Sequence, residues 1–277
     1  MNKFIFLGVK MFNKSLRKNL CITLTLCLLC GNSVIVSAQS RNENKNITVT
    51  TVQQKGMDYA TLAIGQDPAV LLQKANEYKA ANPKANEDQI EIYMRNLIIE
   101  GSKTKGTSTT NTQTASPLTD YASYLPTTFG NLSDPEKAVF NQSVLKGTQV
   151  LVDAKRAVDE VPIYFYADCG YHNDNADAFR HGFWNAQNAC YTGVTYAKQF
   201  ADAHEQGNPN TEPESSMDYY NNNIGRQIGS TFTTSTIWQQ LQSSVLSGVS
   251  LGKFKRFVGT DIGTLTYLVS SNSNMRK

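Results

Sequence analysis

A mainly α-helical domain with little strand is what this sequence predicts, preceded by a small helical hairpin and a flexible linker. Three observations carry that prediction. Apolar residues recur at helical spacing through most of the chain, helix-start signals precede those runs, and strand signals are few, Thr264–Val269 being the best.

The 277 residues open on a cationic stretch with Lys3, Lys10, Lys14, Arg17 and Lys18, and no acidic residue occurs before Glu43. An apolar run, Leu20–Leu29, follows, and then the small residues Val36-Ser37-Ala38 before Gln39. This is the three-part layout of an export signal, so residues 1–38 are read as a signal peptide. The run is shorter than the roughly 20 apolar residues that a bilayer span needs. Met11 makes a tidier cationic start. Leu28-Leu29-Cys30-Gly31 weakly resembles a lipoprotein box with Cys30 as the lipidated residue, but a small residue is expected where Leu29 stands. The expected location is therefore secreted or periplasmic, with the lipoprotein route as the alternative.

Loss of the signal changes the charge. The whole chain has 26 Lys+Arg and 23 Asp+Glu; removing five cations and no acid leaves 21 against 23, a net −2. The mature chain thus carries no global basic footprint for nucleic acid and no run long enough for a transmembrane helix. The sequence names no partner. Of five cysteines only Cys169 and Cys190 remain. In an oxidising compartment they can pair; a disulfide and two buried thiols are both compatible with their spacing.

Residues 39–101 form an N-terminal helical segment. One helix starts at Asp67-Pro68 and runs to Pro83; a second, NEDQIEIYMRNLIIE, ends at Gly101. Residues 102–117 are Ser/Thr-rich and read as a linker. The main helical domain is expected over 118–277. Ser133-Asp134-Pro135-Glu136 has capping-box spacing and starts a helix to about Glu160. Ile237, Trp238, Leu241, Val245 and Leu246 fit a late helix ended by Gly248.

The chemistry is expected between Tyr171 and Arg226. The three histidines, His172, His181 and His204, fall within 33 residues. On a helix from about Ala176 to Tyr191, Ala178, Phe179, Gly182, Phe183, Ala186, Ala189 and Cys190 share one side. Asp177, Arg180, His181, Trp184, Asn185 and Asn188 share the other. A solvated face is usually Lys, Glu and Gln; this mixture points to a site. Asp177 and His181, at i and i+4, can orient one another or bind one metal. A second helix, about Val194–Gln206, places His204 on its apolar side, where a lone histidine is more often a core residue than a ligand, with Glu205 beside it. A third, from near Glu214, puts Asp218, Asn222, Gly225 and Gly229 on one face, and glycines four apart admit a neighbouring helix closely.

The blocks DAFRHGFWNA (177–186), DAHE (202–205) and MDYYNNNIGR (217–226) resemble an uncharacterised bacterial domain family with the pattern DAFRHxxWNA, AHE and MDxxNNxxGR. The resemblance spans roughly residues 130–260. It implies an extracellular setting, since the family occurs in exported proteins and at the C-termini of large toxin-like surface proteins. It implies no established reaction. Gly182 stands where the pattern has alanine.

Two function classes follow. The first is a hydrolase of lipid or nucleic-acid ester or phosphodiester bonds. Asp177, His181, His204, Glu205 and Asp218 are its catalytic candidates; Arg180, Trp184, Asn185, Asn188, Asn222 and Arg226 are its binding residues. It would work through a divalent metal, with His181, His204 and Asp218 as candidate ligands, or through His181 as a general base. The second is a non-catalytic envelope or toxin-associated binding module whose polar residues form a structural network. Sequencing of the exported protein is expected to find Gln39 as the mature N-terminus; a lipid-bearing Cys30 would overturn that cleavage site, and an uncleaved cytoplasmic chain would overturn export.

Overall fold

Several helix starts in this chain are chemically explicit, and those helices begin where the signals stand. The structure is a computed structural model that describes residues 56–104, 124–166, 171–258, 268–274 and 277. The signal region, Cys169 and most of the Ser/Thr-rich stretch lie outside these residues. Asp58 caps α1 (Tyr59–Ala63), Asp67 caps α2 (Pro68–Ala81), and an Asn86/Gln89 capping box opens α3 (Glu87–Lys103). A short 3-10 turn, Phe129–Asn131, leads to α4 (Asp134–Phe140), which starts at the Ser133/Glu136 box.

The helix expected from Ser133 to Glu160 is two helices. After α4 the chain breaks at Asn141–Ser143 and resumes as α5 (Val144–Tyr164). Long-range hydrogen bonds favour the break. The Glu91 carboxylate on α3 accepts from the Val144 and Leu145 amides at 2.8 and 2.9 Å, closing the N-terminus of α5. Asn141 accepts from the Ala60 amide and donates to Asp58, tying the corner to α1.

These contacts draw the N-terminal helices in. Tyr59, Met94 and Ile98 share one apolar core with Phe140, Val150 and Leu151, and the described residues form one compact unit. Helix α3 also runs through Ser102 and Lys103, the first residues of the stretch read as a linker; the rest of that stretch, from residue 105, lies outside the described residues.

The remaining elements are α6 (Asn175–Thr192), α7 (Val194–Gly207), α8 (Glu212–Gly229), α9 (Trp238–Ser250) and a two-stranded antiparallel ribbon, β1 (Lys255–Phe257) with β2 (Leu268–Ser270). The fold is thus mainly helical. The strand expected at Thr264–Val269 is described only from Leu268. Helix α9 continues past Gly248, which lacks the side chain that would strike the Phe254 ring. No helix among the described residues is long and apolar enough to cross a membrane.

Helix α6 is the axis: α5, α7, α8 and α9 all pack on it. Every residue from Asn175 to Cys190 is buried. The polar side read from the sequence is therefore covered by protein rather than water. Helix α8 lies closest. A Cβ at Gly225 would sit 2.3 Å from the Gly182 carbonyl oxygen, and one at Gly229 would sit 2.1 Å from that of Ala186. The glycines four apart do admit a neighbour at backbone distance. Gly182 in turn makes room for Phe254, whose ring a Cβ there would meet at 2.4 Å.

Gly225→Ala is expected to force the two helices apart and cost about 1–3 kcal/mol, the range for overpacking a filled core. Gly130→Ala, with only Thr128 Oγ1 at 3.9 Å, is expected to stay within about 0.5 kcal/mol. Urea denaturation of both variants checks this; equal stability would mean that the crossing tolerates a methyl group.

Candidate functional site: a buried His/Asp/Asp centre

The first turn of α6 is built by a strained approach. Tyr171 and Asn173 have positive φ, 60° and 58°, on either side of His172. Such conformations are rare for residues other than glycine and persist where the surroundings enforce them. Asp174 then caps α6 through the Ala176 and Asp177 amides. The Asn173 amide donates to Asp177 Oδ2 at 2.6 Å, and the Arg180 guanidinium bonds Asp177 Oδ1 from one turn on.

Across the α6–α8 crossing, His181 and Asp218 meet. His181 Nε2 is 3.4 Å from Asp177 Oδ1 and 3.4 Å from Asp218 Oδ1. Among the described residues, Asp177, His181 and Asp218 each offer one ligand atom, and all three atoms lie within 4.8 Å of one another. The residues are 1%, 4% and 3% exposed. On the other edge of the ring, His181 Nδ1 lies 3.1 Å from Asn222 Oδ1 and 3.9 Å from Glu205 Oε1. Asn222 donates to Glu205, Asn185 donates to Asn222, and Arg226 donates to Asn185.

Burial and charge set the protonation states. Burial raises the Asp177 carboxyl, but Arg180, then His181 and His172, outweigh it and hold Asp177 below the usual carboxylate range. Burial, reinforced by the charges of Asp177 and Glu205, pushes Asp218 well above that range. Glu205 is raised mainly by burial. Burial lowers His181 to about 3 despite the pull of Asp177, so its ring is neutral.

Several buried polar atoms here have no hydrogen-bond partner among the described residues: His172 Nδ1, Asn173 Oδ1, Asp174 Oδ2, Arg180 Nε and Asp218 Oδ1. Native proteins rarely leave such atoms unsatisfied, and ordered water, an ion or a polar ligand can each supply the missing partners. The cover over the centre is thin. His172, 26% exposed at its side chain, reaches Glu214 at 3.1 Å and Asp177 at 3.5 Å. Tyr124 stacks on His172 and lies under the Arg180 guanidinium. The exposed Asn210 donates to Asp218 Oδ2.

The structure redistributes the sequence candidates. Asp177, His181 and Asp218 come together, with Glu205, Asn185, Asn222 and Arg226 behind them and Arg180 at the side. His204 does not join them. Its Nδ1 is 2.8 Å from Glu136 Oε1, its Nε2 is 3.1 Å from the Tyr124 carbonyl, and Trp184 packs edge-on against it. It is a core histidine fastening α7 to α4. Trp184 is fully buried and donates to the Val150 carbonyl on α5, away from any ligand surface. Asn188 is also fully buried, and neither of its amide atoms has a partner among the described residues. The Cys190 thiol donates to the Thr233 carbonyl at 3.0 Å; Cys169 lies outside the described residues.

Sequence reading passed over His172, Asn173, Glu214, Tyr124 and Glu136 as site residues. Glu214 had a signal: with Thr211 it forms the capping box of α8, and its other oxygen receives Asn173 and faces His172. The turn at 171–173 carries no local motif, because its geometry is imposed by Arg180 and Asp177.

His204 gives a pH test. Burial lowers its pKa, but the Glu136 hydrogen bond and charge, and then Glu205, raise it overall above 6.5. A raised histidine stabilises fully below its unfolded value of 6.5 and loses that contribution as pH climbs through the folded value. Stability is expected to fall with pH above 6.5, and Glu136→Gln is expected to flatten that slope; urea titrations at stepped pH that show identical slopes would exclude the pair as a source of stability.

Residues 137–250 match the model of a family described as a domain of unknown function (DUF6973). The matched span contains α6 to α9, all three sequence blocks, and each of Asp177, His181 and Asp218. No curated protein and no solved structure matches the chain.

Proposed function

We propose that this chain is an exported protein whose helical domain binds a divalent cation through Asp177, His181 and Asp218 and uses it to hydrolyse ester or phosphodiester bonds. The observation that carries the reading is the convergence of three ligand atoms within 4.8 Å. Asp218 Oδ1, 3.4 Å from His181 Nε2, has no hydrogen bond of its own. Two carboxylates and an imidazole suit zinc, manganese or ferrous iron. Three protein ligands leave a coordination position for water, the arrangement of catalytic rather than structural metal sites. Metal-bound water is a nucleophile near neutral pH. Arg180, Glu205 and the asparagines would hold the ligands in place. Substrate would approach from the side of Tyr124, His172 and Asn210. Export is supported by the cationic and apolar N-terminus, and a toxin-associated setting by the three sequence blocks.

A second reading is favoured by the near-complete burial of the three ligands. The cation would then join α6 to α8 without turnover, in a binding module of the envelope or of a toxin-like protein.

Metal analysis of the purified protein and a screen with p-nitrophenyl esters and bis-p-nitrophenyl phosphate test both. Zinc or manganese at about 100 times its Kd is expected to stabilise the fold by about 2.7 kcal/mol. Asp218→Asn is expected to abolish that gain together with hydrolysis. Binding without turnover selects the second reading. A chain that takes up no divalent cation excludes both.

A further inference from the structure

The hydrogen bonds behind His181 have a direction, and the direction starts at a group that can only donate. A guanidinium has no acceptor. Arg226 Nη1, 2.8 Å from Asn185 Oδ1, therefore establishes which end of the Asn185 amide is oxygen. The Asn185 nitrogen is left to donate, and it does so twice: to the His181 carbonyl at 3.2 Å and to Asn222 Oδ1 at 2.7 Å. Reversing Asn185 would set nitrogen against the guanidinium and oxygen against a carbonyl. The Asn222 oxygen is established in turn, and its nitrogen donates to Glu205 Oε1 at 2.8 Å. Reversing Asn222 would set two amide nitrogens face to face. One contact remains. His181 Nδ1 lies 3.1 Å from an atom that is now an acceptor, so Nδ1 must carry the hydrogen.

We infer that Arg226, Asn185 and Asn222 form a relay that holds His181 as the Nδ1–H tautomer, with the Nε2 lone pair turned towards Asp177 and Asp218. All four side chains are buried, so water does not compete for these bonds. The state of one histidine nitrogen is ordinarily set by the bond that the other makes; here that bond is set two residues further back. Arg226 and the two asparagines are positioning residues, and none is a ligand. Their service to a metal rests on the function proposed above; the tautomer itself does not.

Two-bond 1H–15N spectra of the metal-free protein at pH 7 read the tautomer directly. Only three histidines are present, and His172→Gln and His204→Gln assign the third. His181 is expected as a neutral ring protonated at Nδ1. A ring protonated at Nε2, or an imidazolium, overturns the relay. Asn222→Leu removes the acceptor and is expected to move the proton to Nε2 and to weaken zinc binding by ten- to a hundredfold. Arg226→Lys, which still donates, is expected to keep the Nδ1–H form, whereas Arg226→Met loses it. If Asn222→Leu fails to fold, the Arg226 pair decides: the same tautomer in both variants overturns the relay. An Nδ1–H ring in a protein that binds no zinc leaves the relay standing and removes only the metal reading.

Discussion

A helix that carries aspartate, arginine, histidine, glutamine and asparagine through the middle of a domain needs partners for them, and among the described residues it finds them for all but Asn188. Helix α6 is buried along Asn175–Cys190, and an unpaired polar group there would cost about 1–3 kcal/mol, more if charged. That constraint organises the neighbouring elements. Helix α5 supplies Arg156 and the Asp153 carbonyl for Gln187, and α8 supplies Asn222 and Arg226 for His181 and Asn185. The ribbon is held by the same kind of bonds, since Asn221 pairs with the Lys255 backbone in both directions.

The asparagine run of α8 has its explanation in this packing. Asn221 and Asn222 are buried on sides that meet β1 and α6. Asparagine is a poor helix former, so the helix accepts a local penalty for tertiary hydrogen bonds. Gly225 and Gly229 carry the same trade further. Each weakens α8 as a helix, yet each lets its backbone reach that of α6. That approach brings Asp218 and Asn222 to opposite edges of the His181 ring. A wider crossing would part His181 from Asp218 and Asn222 and leave these groups buried without one another.

The outer face of the centre is tied to the rest of the fold through His204. That residue joins α7 to the capping box of α4 through Glu136, whose second oxygen holds Ser133. Its other nitrogen meets the Tyr124 carbonyl, and the Tyr124 ring contacts both Arg180 and His172. The histidine that looked like a ligand in the sequence is thus part of the support beneath the cover.

Much of the fold was legible in the sequence, because helices are specified locally. Asp67-Pro68, the Ser133/Glu136 box and the apolar spacing of α6, α7 and α8 act through residues three or four apart. Gly225 and Gly229 announced a close crossing for the same reason, although not with which helix. The pairing of Asp177 with His181 was readable as one turn of one helix. Other features were decided by tertiary structure alone. The break before α5 depends on Glu91, more than 50 residues away, and periodicity contains nothing about so distant a partner. Whether the polar side of α6 meets water or protein, and whether His181 turns to Asp218 or to His204, depends on where α7 and α8 dock. Those positions are set by the summed packing of apolar residues spread along the chain, and no local run of sequence records that sum.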